Sequence, residues 1–311
     1  MADHHHLEAT PDTVHWGYWD ASLEPVLRVR SGDRVTVDSV SGGRADLPPG
    51  EDGVRAGHLR IIEAGGQQFG PHVLTGPIWI DGAAPGDTLE VRIIDIALAD
   101  TWGYNLIRAL GGTLPDEFPF TRRIHMALDR DTMTGRMPWG SDLPLSPFFG
   151  NFGVAPRAEY GRISSIEPRE HGGNLDNKEL IPGATVYFPV WNEGALFSAG
   201  DGHAAQGDGE VCQTALETGL TGTFEFIVHK DLNLRFPRAE NATHYITMGL
   251  NPDLDDAAAQ ALGHMLDWIT AITNLSREDV YRLCSLAADL RVTQIVDGNK
   301  GIHCMLEKSL L

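Results

Sequence analysis

The sequence predicts an α+β protein that is mostly β, with antiparallel β-sandwich or barrel-like parts and a small C-terminal helical pair. Three observations carry this. Turn residues followed by period-2 apolar alternation recur through the first 230 positions. Thirty-five glycines and 18 prolines supply the turns between them. After residue 250 the apolar spacing changes from two to three and four.

"LRVRSGDRVTVDSV" (27–40) alternates, turns at Ser31-Gly32-Asp33, then alternates again through Val35 and Val37. "GAAPGDTLEVRIIDIAL" (82–98) repeats the plan with Leu89, Val91 and Ile93, and "IPGATVYFPV" (181–190) does so with Val186 and Phe188. Gly/Pro-rich stretches at 101–120 and 135–160, including "PLSPFFGNFGVAP", read as long loops of the kind that line sites. "NPDLDDAAAQALGHMLDWITAI" places Leu262, Met265, Leu266, Ile269 and Ile272 on one helical stripe. "SREDVYRLCSLAADL" opens like a capping box at Ser276 and Asp279 and carries Leu283, Leu286, Ala287 and Leu290. "RVTQIVDGNKGIHCML" reads as two strands around an Asp-Gly-Asn turn. The expected division is an N-terminal sandwich-like β region over 1–160 and a C-terminal β region over 161–311, with helices near 253–290.

A formal charge of −19, from 24 basic and 43 acidic residues, argues against a nucleic-acid partner, since phosphate binding needs clustered cations. Cys212, Cys284 and Cys304 show no CxxC spacing and cannot all pair, which fits a reducing compartment. The start "MADHHHLEAT" lacks the basic-then-apolar pattern of a secretory leader. No apolar run is long enough for a membrane span. A cytoplasmic location is therefore expected.

Chemistry concentrates in "SAGDGHAAQGDGE" (198–210). Asp201 and His203 are two apart, so on extended backbone their side chains share a face and offer a divalent metal an oxygen and a nitrogen. "HGGNLDN" (171–177) adds His171, Asn174 and Asp176, making His171, Asp176, Asp201 and His203 the expected metal ligands. "GEVCQTALETG" (209–219) alternates like a strand, so Glu210 and Glu217 fall on opposite faces and one of the two is the expected catalytic carboxylate. Cys212 sits among apolar and hydroxyl residues without a histidine or lysine to activate it, and reads as structural. His72 ends a Gly/Pro loop entering a strand and is held in reserve.

These segments, with "TVHWGYWDASLEPVLRVRSGD" and "HVLTGPIWIDGAAPGDTLEVRIIDI", resemble the blocks of the acetamidase/formamidase family, in the family's order, over roughly His15 to Met305. The departures, Trp19 and Cys212, are minor. The resemblance implies a mostly β metal protein that hydrolyses short linear amides such as formamide or acetamide to carboxylate and ammonia. It also implies a small neutral substrate and a homodimer or larger homo-oligomer. The matching motif residues are His171, Asp176, Asp201, His203, Gln206, Asp208 and Glu210. Zinc is the expected ion and calcium the alternative. A metal-activated water would attack the amide, Glu217 or Glu210 would carry the proton to nitrogen, and Asn174 and Gln206 would hold the substrate NH2. Trp102, Tyr104, Phe148, Phe149 and Trp191 are candidate pocket walls. The rival reading is a non-catalytic β-sandwich binding protein ordered by a metal.

Overall fold

The computed structural model describes residues 2–311. Its scaffold is a nine-stranded sheet in the order His4–Leu7, Arg34–Asp38, Leu220–His229, Thr88–Leu98, Thr185–Pro189, Arg238–Glu240, His244–Asn251, Lys300–Glu307, Asp289–Gln294. All its pairings are antiparallel except the first, His4–Leu7 with Arg34–Asp38. A six-stranded sheet lies against it, in the order Gly172–Asn174, Phe148–Gly153, Phe197–His203, Val73–Asp81, Val14–Trp16, with Leu27–Arg30 also paired to Val73–Asp81. A four-stranded meander over residues 102–144 flanks them. The class is α+β and mostly β, and none of these sheets closes into a barrel among the described residues.

Period-2 alternation is the cause of the layering. Along Leu220–His229 the burial alternates, so Phe224 and Phe226 project to one face and Thr223 and Glu225 to the other. That inner face meets the second sheet ring to ring: Phe197 lies 4.9 Å from Phe226 and Phe152 lies 6.2 Å from Phe224. Burial of each such ring contributes about 1.5–3 kcal/mol. This aromatic core is the floor beneath the chemically active strand Phe197–His203.

The expected division at residue 160 does not follow the sheets. Leu220–His229 runs between Arg34–Asp38 and Thr88–Leu98, and Phe197–His203 pairs with Val73–Asp81. Antiparallel alternation predicts a strand but not its neighbour, so the partition could not be seen locally. The stretches read as loops also hold strands, Trp102–Ile107 and Phe148–Gly153.

Both helices form where expected. In Leu254–Ile272 the Asp253 carboxylate caps the backbone N–H groups of Asp255 and Asp256. Its buried stripe is Ala257, Ala261, Met265, Leu266 and Ile269, while Ile272 is exposed. The small residues let it approach the strand His244–Asn251 closely: a Cβ on Gly249 would fall 1.9 Å from the Ala257 carbonyl oxygen. Arg277–Ala287 is capped by Ser276 but buries Val280 and Cys284, leaving Leu286 exposed; the helix ends before Leu290, which belongs to the strand Asp289–Gln294. No helix among the described residues is long and apolar enough to cross a membrane.

Candidate active site

The site is assembled around the C-terminal end of the strand Phe197–His203. Asp201 and His203 share a face as their spacing predicts, with the His203 Nε2 3.2 Å from the Asp201 carboxylate. The neighbouring strand Phe148–Gly153 places Gly150 beside them. A Cβ on Gly150 would lie 2.6–2.7 Å from the His203 Cε1, the Asp176 Oδ1 and the Asp201 Oδ2, so glycine leaves the space these three side chains fill. Beyond it, the chain turns after Gly172–Asn174 and Asp176 donates its backbone N–H to the Gly150 carbonyl at 3.0 Å.

Two carboxylates arrive from 209–217, which is not a strand. Glu210 and Gln213 adopt left-handed backbone, φ +44° and +67°, and this breaks the alternation that would have set Glu210 and Glu217 on opposite faces. Both turn inward. Glu217 pairs by isolated bridges with His203 and with Tyr104, and its Oε1 lies 3.4 Å from the His203 Nε2. Asp176 and Asp201 are also left-handed, at +50° and +57°. Three of the site's carboxylates thus sit on strained backbone, a pattern that marks sites where the surroundings over-determine a geometry.

Asp297, on the turn between the last two strands, is the fifth carboxylate, and sequence reasoning took its neighbourhood for a plain turn. Asn174 ties it in, donating from Nδ2 to Asp176 at 2.9 Å and to Asp297 at 3.2 Å. The Asn174 Oδ1 accepts from Asn151 at 3.0 Å. Gln206 is equally committed: its Oε1 accepts from the His203 Nδ1 at 2.8 Å and its Nε2 donates to the Asp176 carbonyl at 2.7 Å. Flipping that amide would set its oxygen against the Asp176 carbonyl oxygen, so that contact fixes its orientation. Asn174 and Gln206, expected to meet substrate, hold the acidic groups and His203 in place, and each also lines a cavity beside them.

His171 is brought elsewhere. Its ring packs edge-on against Trp19 at 5.2 Å, and neither ring nitrogen has a hydrogen-bond partner. It belongs to none of the groups of converging ligand atoms; it sits in the turn Arg169–Gly172, ahead of the strand Gly172–Asn174. The expected fourth ligand thus stands apart from the converging atoms. Asp208 faces outward in an ion pair with Lys178. His72 does reach the site, with Nδ1 on Ser165 and Nε2 3.8 Å from Asp201. Of the candidate walls, Tyr104 lines the pocket and Phe148 packs edge-on against His203, while Phe149 is core and Trp191 stacks under Arg157. Trp102 stacks on His58 beside Tyr104. Cys212 has Asn105 and Thr214 as neighbours, which do not activate a thiol.

Converging ligand atoms form two triads that share His203: Asp176, His203 and Glu210; Asp201, His203 and Glu217. The electrostatics follow from crowding acids in a dry place. Burial and neighbouring carboxylates push Asp176 and Glu210 well above the usual carboxylate range. Burial lifts Glu217 to about 8 and Asp297 to about 6. Burial opposes charge on His203, but Glu217 and Asp201 outweigh it and raise it to about 10. Asp201, against its own burial, is held well below the usual range by His72 and His203. No lysine or arginine among the described residues pairs with any of the five acids. The Asp176 Oδ1 is buried without a hydrogen-bond partner. Such a site is deficient in positive charge, and its donor set fits a divalent cation. The cavity over Glu217, Asp201 and Tyr104 measures about 60 Å³, space for a few water-sized particles.

The chain is similar to known proteins in sequence and in fold. A formamidase from Methylophilus methylotrophus is 29% identical over 246 residues, covering 62% of this chain and 58% of its own. An acetamidase from Mycolicibacterium smegmatis is 29% identical over 198 residues, covering 45% of this chain and 49% of its own. The chain thus spans about half the length of these curated relatives. The crystal structure of a predicted acetamidase/formamidase from Thermoanaerobacter tengcongensis superposes with a TM-score of 0.88 at 29% identity, over 100% of this chain and 98% of that one. The profile of the Acetamidase/Formamidase family matches residues 3–165 and 159–306, nearly the whole sequence, and the chain belongs to that family.

Proposed function

We propose that this protein hydrolyses short linear amides of the formamide or acetamide type to carboxylate and ammonia, with a divalent metal as cofactor. The observation that carries the reading is the pair of buried triads sharing His203 beside a cavity of about 60 Å³. The family membership supplies the reaction class.

Asp201, His203 and Glu217 would hold the ion, with the partnerless Oδ1 of Asp176 as a further donor. An imidazole nitrogen among carboxylate oxygens suits zinc; calcium takes six to eight oxygens and no imidazole. When bound, such an ion supplies Lewis acidity. Gln206 fixes the His203 ring so that Nε2 faces the acids. Asn174 holds Asp176 and Asp297 in register from behind.

Hydrolysis forms a carbon–oxygen bond, breaks the carbon–nitrogen bond and moves a proton from water to nitrogen. Glu210 lies outside the Asp201–His203–Glu217 set and carries that proton, since an unprotonated amide nitrogen is too poor a leaving group. Tyr104 lines the same small cavity, with its phenol kept neutral by burial and by Glu217.

Ammonia release from formamide, acetamide and propionamide, before and after metal removal and with elemental analysis alongside, tests the reading. Turnover that survives complete chelation would refute the metal role; absence of turnover in zinc-replete protein would refute the reaction.

A further inference from the structure

A second cavity of about 670 Å³ opens on the other side of Glu210. Its lining is largely apolar, with Ile124, Met126, Met137, Trp139, Leu143 and Ile181. That size and lining match pockets that enclose small organic ligands, and two methionines make the wall adaptable. Trp139 stands on its rim 68% exposed, without a packing role in the fold. Glu210 and Thr214 line this cavity and the small polar one alike, so the acidic cluster is approached from two sides. Among the described residues the only cation on its lining, Lys178, is already paired with Asp208 at 3.0 Å.

We infer that this cavity takes the apolar acyl or aryl group of amides larger than acetamide, with the carboxamide head against Glu210. The inference rests on the amidase reading and extends its substrate class. The occupant follows from continuity: an apolar space of this volume, sharing the wall residue that carries the proton, is placed where the acyl group of a bound amide would project. An anionic tail would find no free cation there, and it would meet Glu179, Asp208 and Glu210 on the same lining.

The test compares kcat/KM for acetamide, hexanamide and phenylacetamide in the zinc-loaded protein and in two variants that fill the cavity away from the acids, Met137→Trp and Leu143→Trp. The expected result is at least tenfold higher kcat/KM for hexanamide and phenylacetamide than for acetamide. Either filling variant should remove that advantage and leave acetamide turnover within twofold. Turnover of acetamide without turnover of the larger amides would overturn the inference and leave the amidase reading standing. Equal losses on all three amides in both variants would also overturn it. If no amide is turned over, the amidase reading fails, and calorimetry with phenylacetamide on the same proteins decides the cavity: binding abolished by Met137→Trp sustains it as a site for apolar amides, and no binding ends it.

Discussion

His203 and Gln206 are locked together, the Nδ1 of the one 2.8 Å from the Oε1 of the other. Because the same amide also holds the Asp176 carbonyl, Gln206 sets the direction of the imidazole and the position of a carboxylate at once. Ligands oriented in this way owe much of their affinity to the residue behind them.

Gln206→Leu should therefore lower zinc affinity about 10- to 100-fold while the fold persists. Gln206→Glu, which keeps an acceptor for the His203 Nδ1, should recover part of the loss. Competition with a chromophoric chelator measures both, and unchanged affinity in Gln206→Leu would mean that the ring is held by something else.

Metal uptake should release protons. In the free protein His203 is held protonated up to about 10 and Glu217 up to about 8, so both carry protons at neutral pH. Since both pKa values are raised, these protons become easier to displace as pH increases, and apparent affinity should climb until pH passes about 10, more steeply below about 8 where both protons are held. Calorimetry at pH 7 in two buffers of different ionisation enthalpy should show more than one proton released per ion. Binding with no proton release would rule out the His203 and Glu217 ligation.

His171→Leu should retain metal content and turnover within about twofold. Its two ring nitrogens make no hydrogen bonds, and its contact is with Trp19. Replacing an unpartnered buried imidazole with an apolar group of similar volume removes a desolvated polar atom and sacrifices no bond. Loss of zinc from this variant would restore His171 to the ligand set.

The sequence discloses Asp201 and His203 because two ligand types two positions apart are a local signal, although Asp201 itself is left-handed, and it discloses both helices because caps and stripes are local too. What it conceals is parity broken by backbone. Alternation across 209–217 would put Glu210 and Glu217 on opposite faces, but two residues there are left-handed. His171 and Asp176 are near in sequence, but His171 lies in the turn before the strand Gly172–Asn174 and Asp176 beyond that strand's end. Asp297 carried no signal beyond a turn, since its role depends on a hairpin more than 90 positions from Gln206 being folded back onto it.

Gly150 gives the last test, and one that separates space from chemistry. Its backbone is not left-handed, so alanine brings no conformational strain; the cost is steric alone. A methyl group there would stand 2.6–2.7 Å from His203, Asp176 and Asp201, all of them buried and none able to swing into solvent. Overpacking of this kind costs about 1–3 kcal/mol. Gly150→Ala should accordingly lower thermal stability, and because the displaced atoms are the converging ligands it should reduce zinc content and turnover more steeply than it reduces stability. Gly222→Ala serves as the control, since its added methyl would meet Phe149 and Phe224 in the apolar core. If both variants lost stability to a similar extent and Gly150→Ala still bound zinc like the unaltered protein, the space beside Gly150 would not be the place where the ion sits.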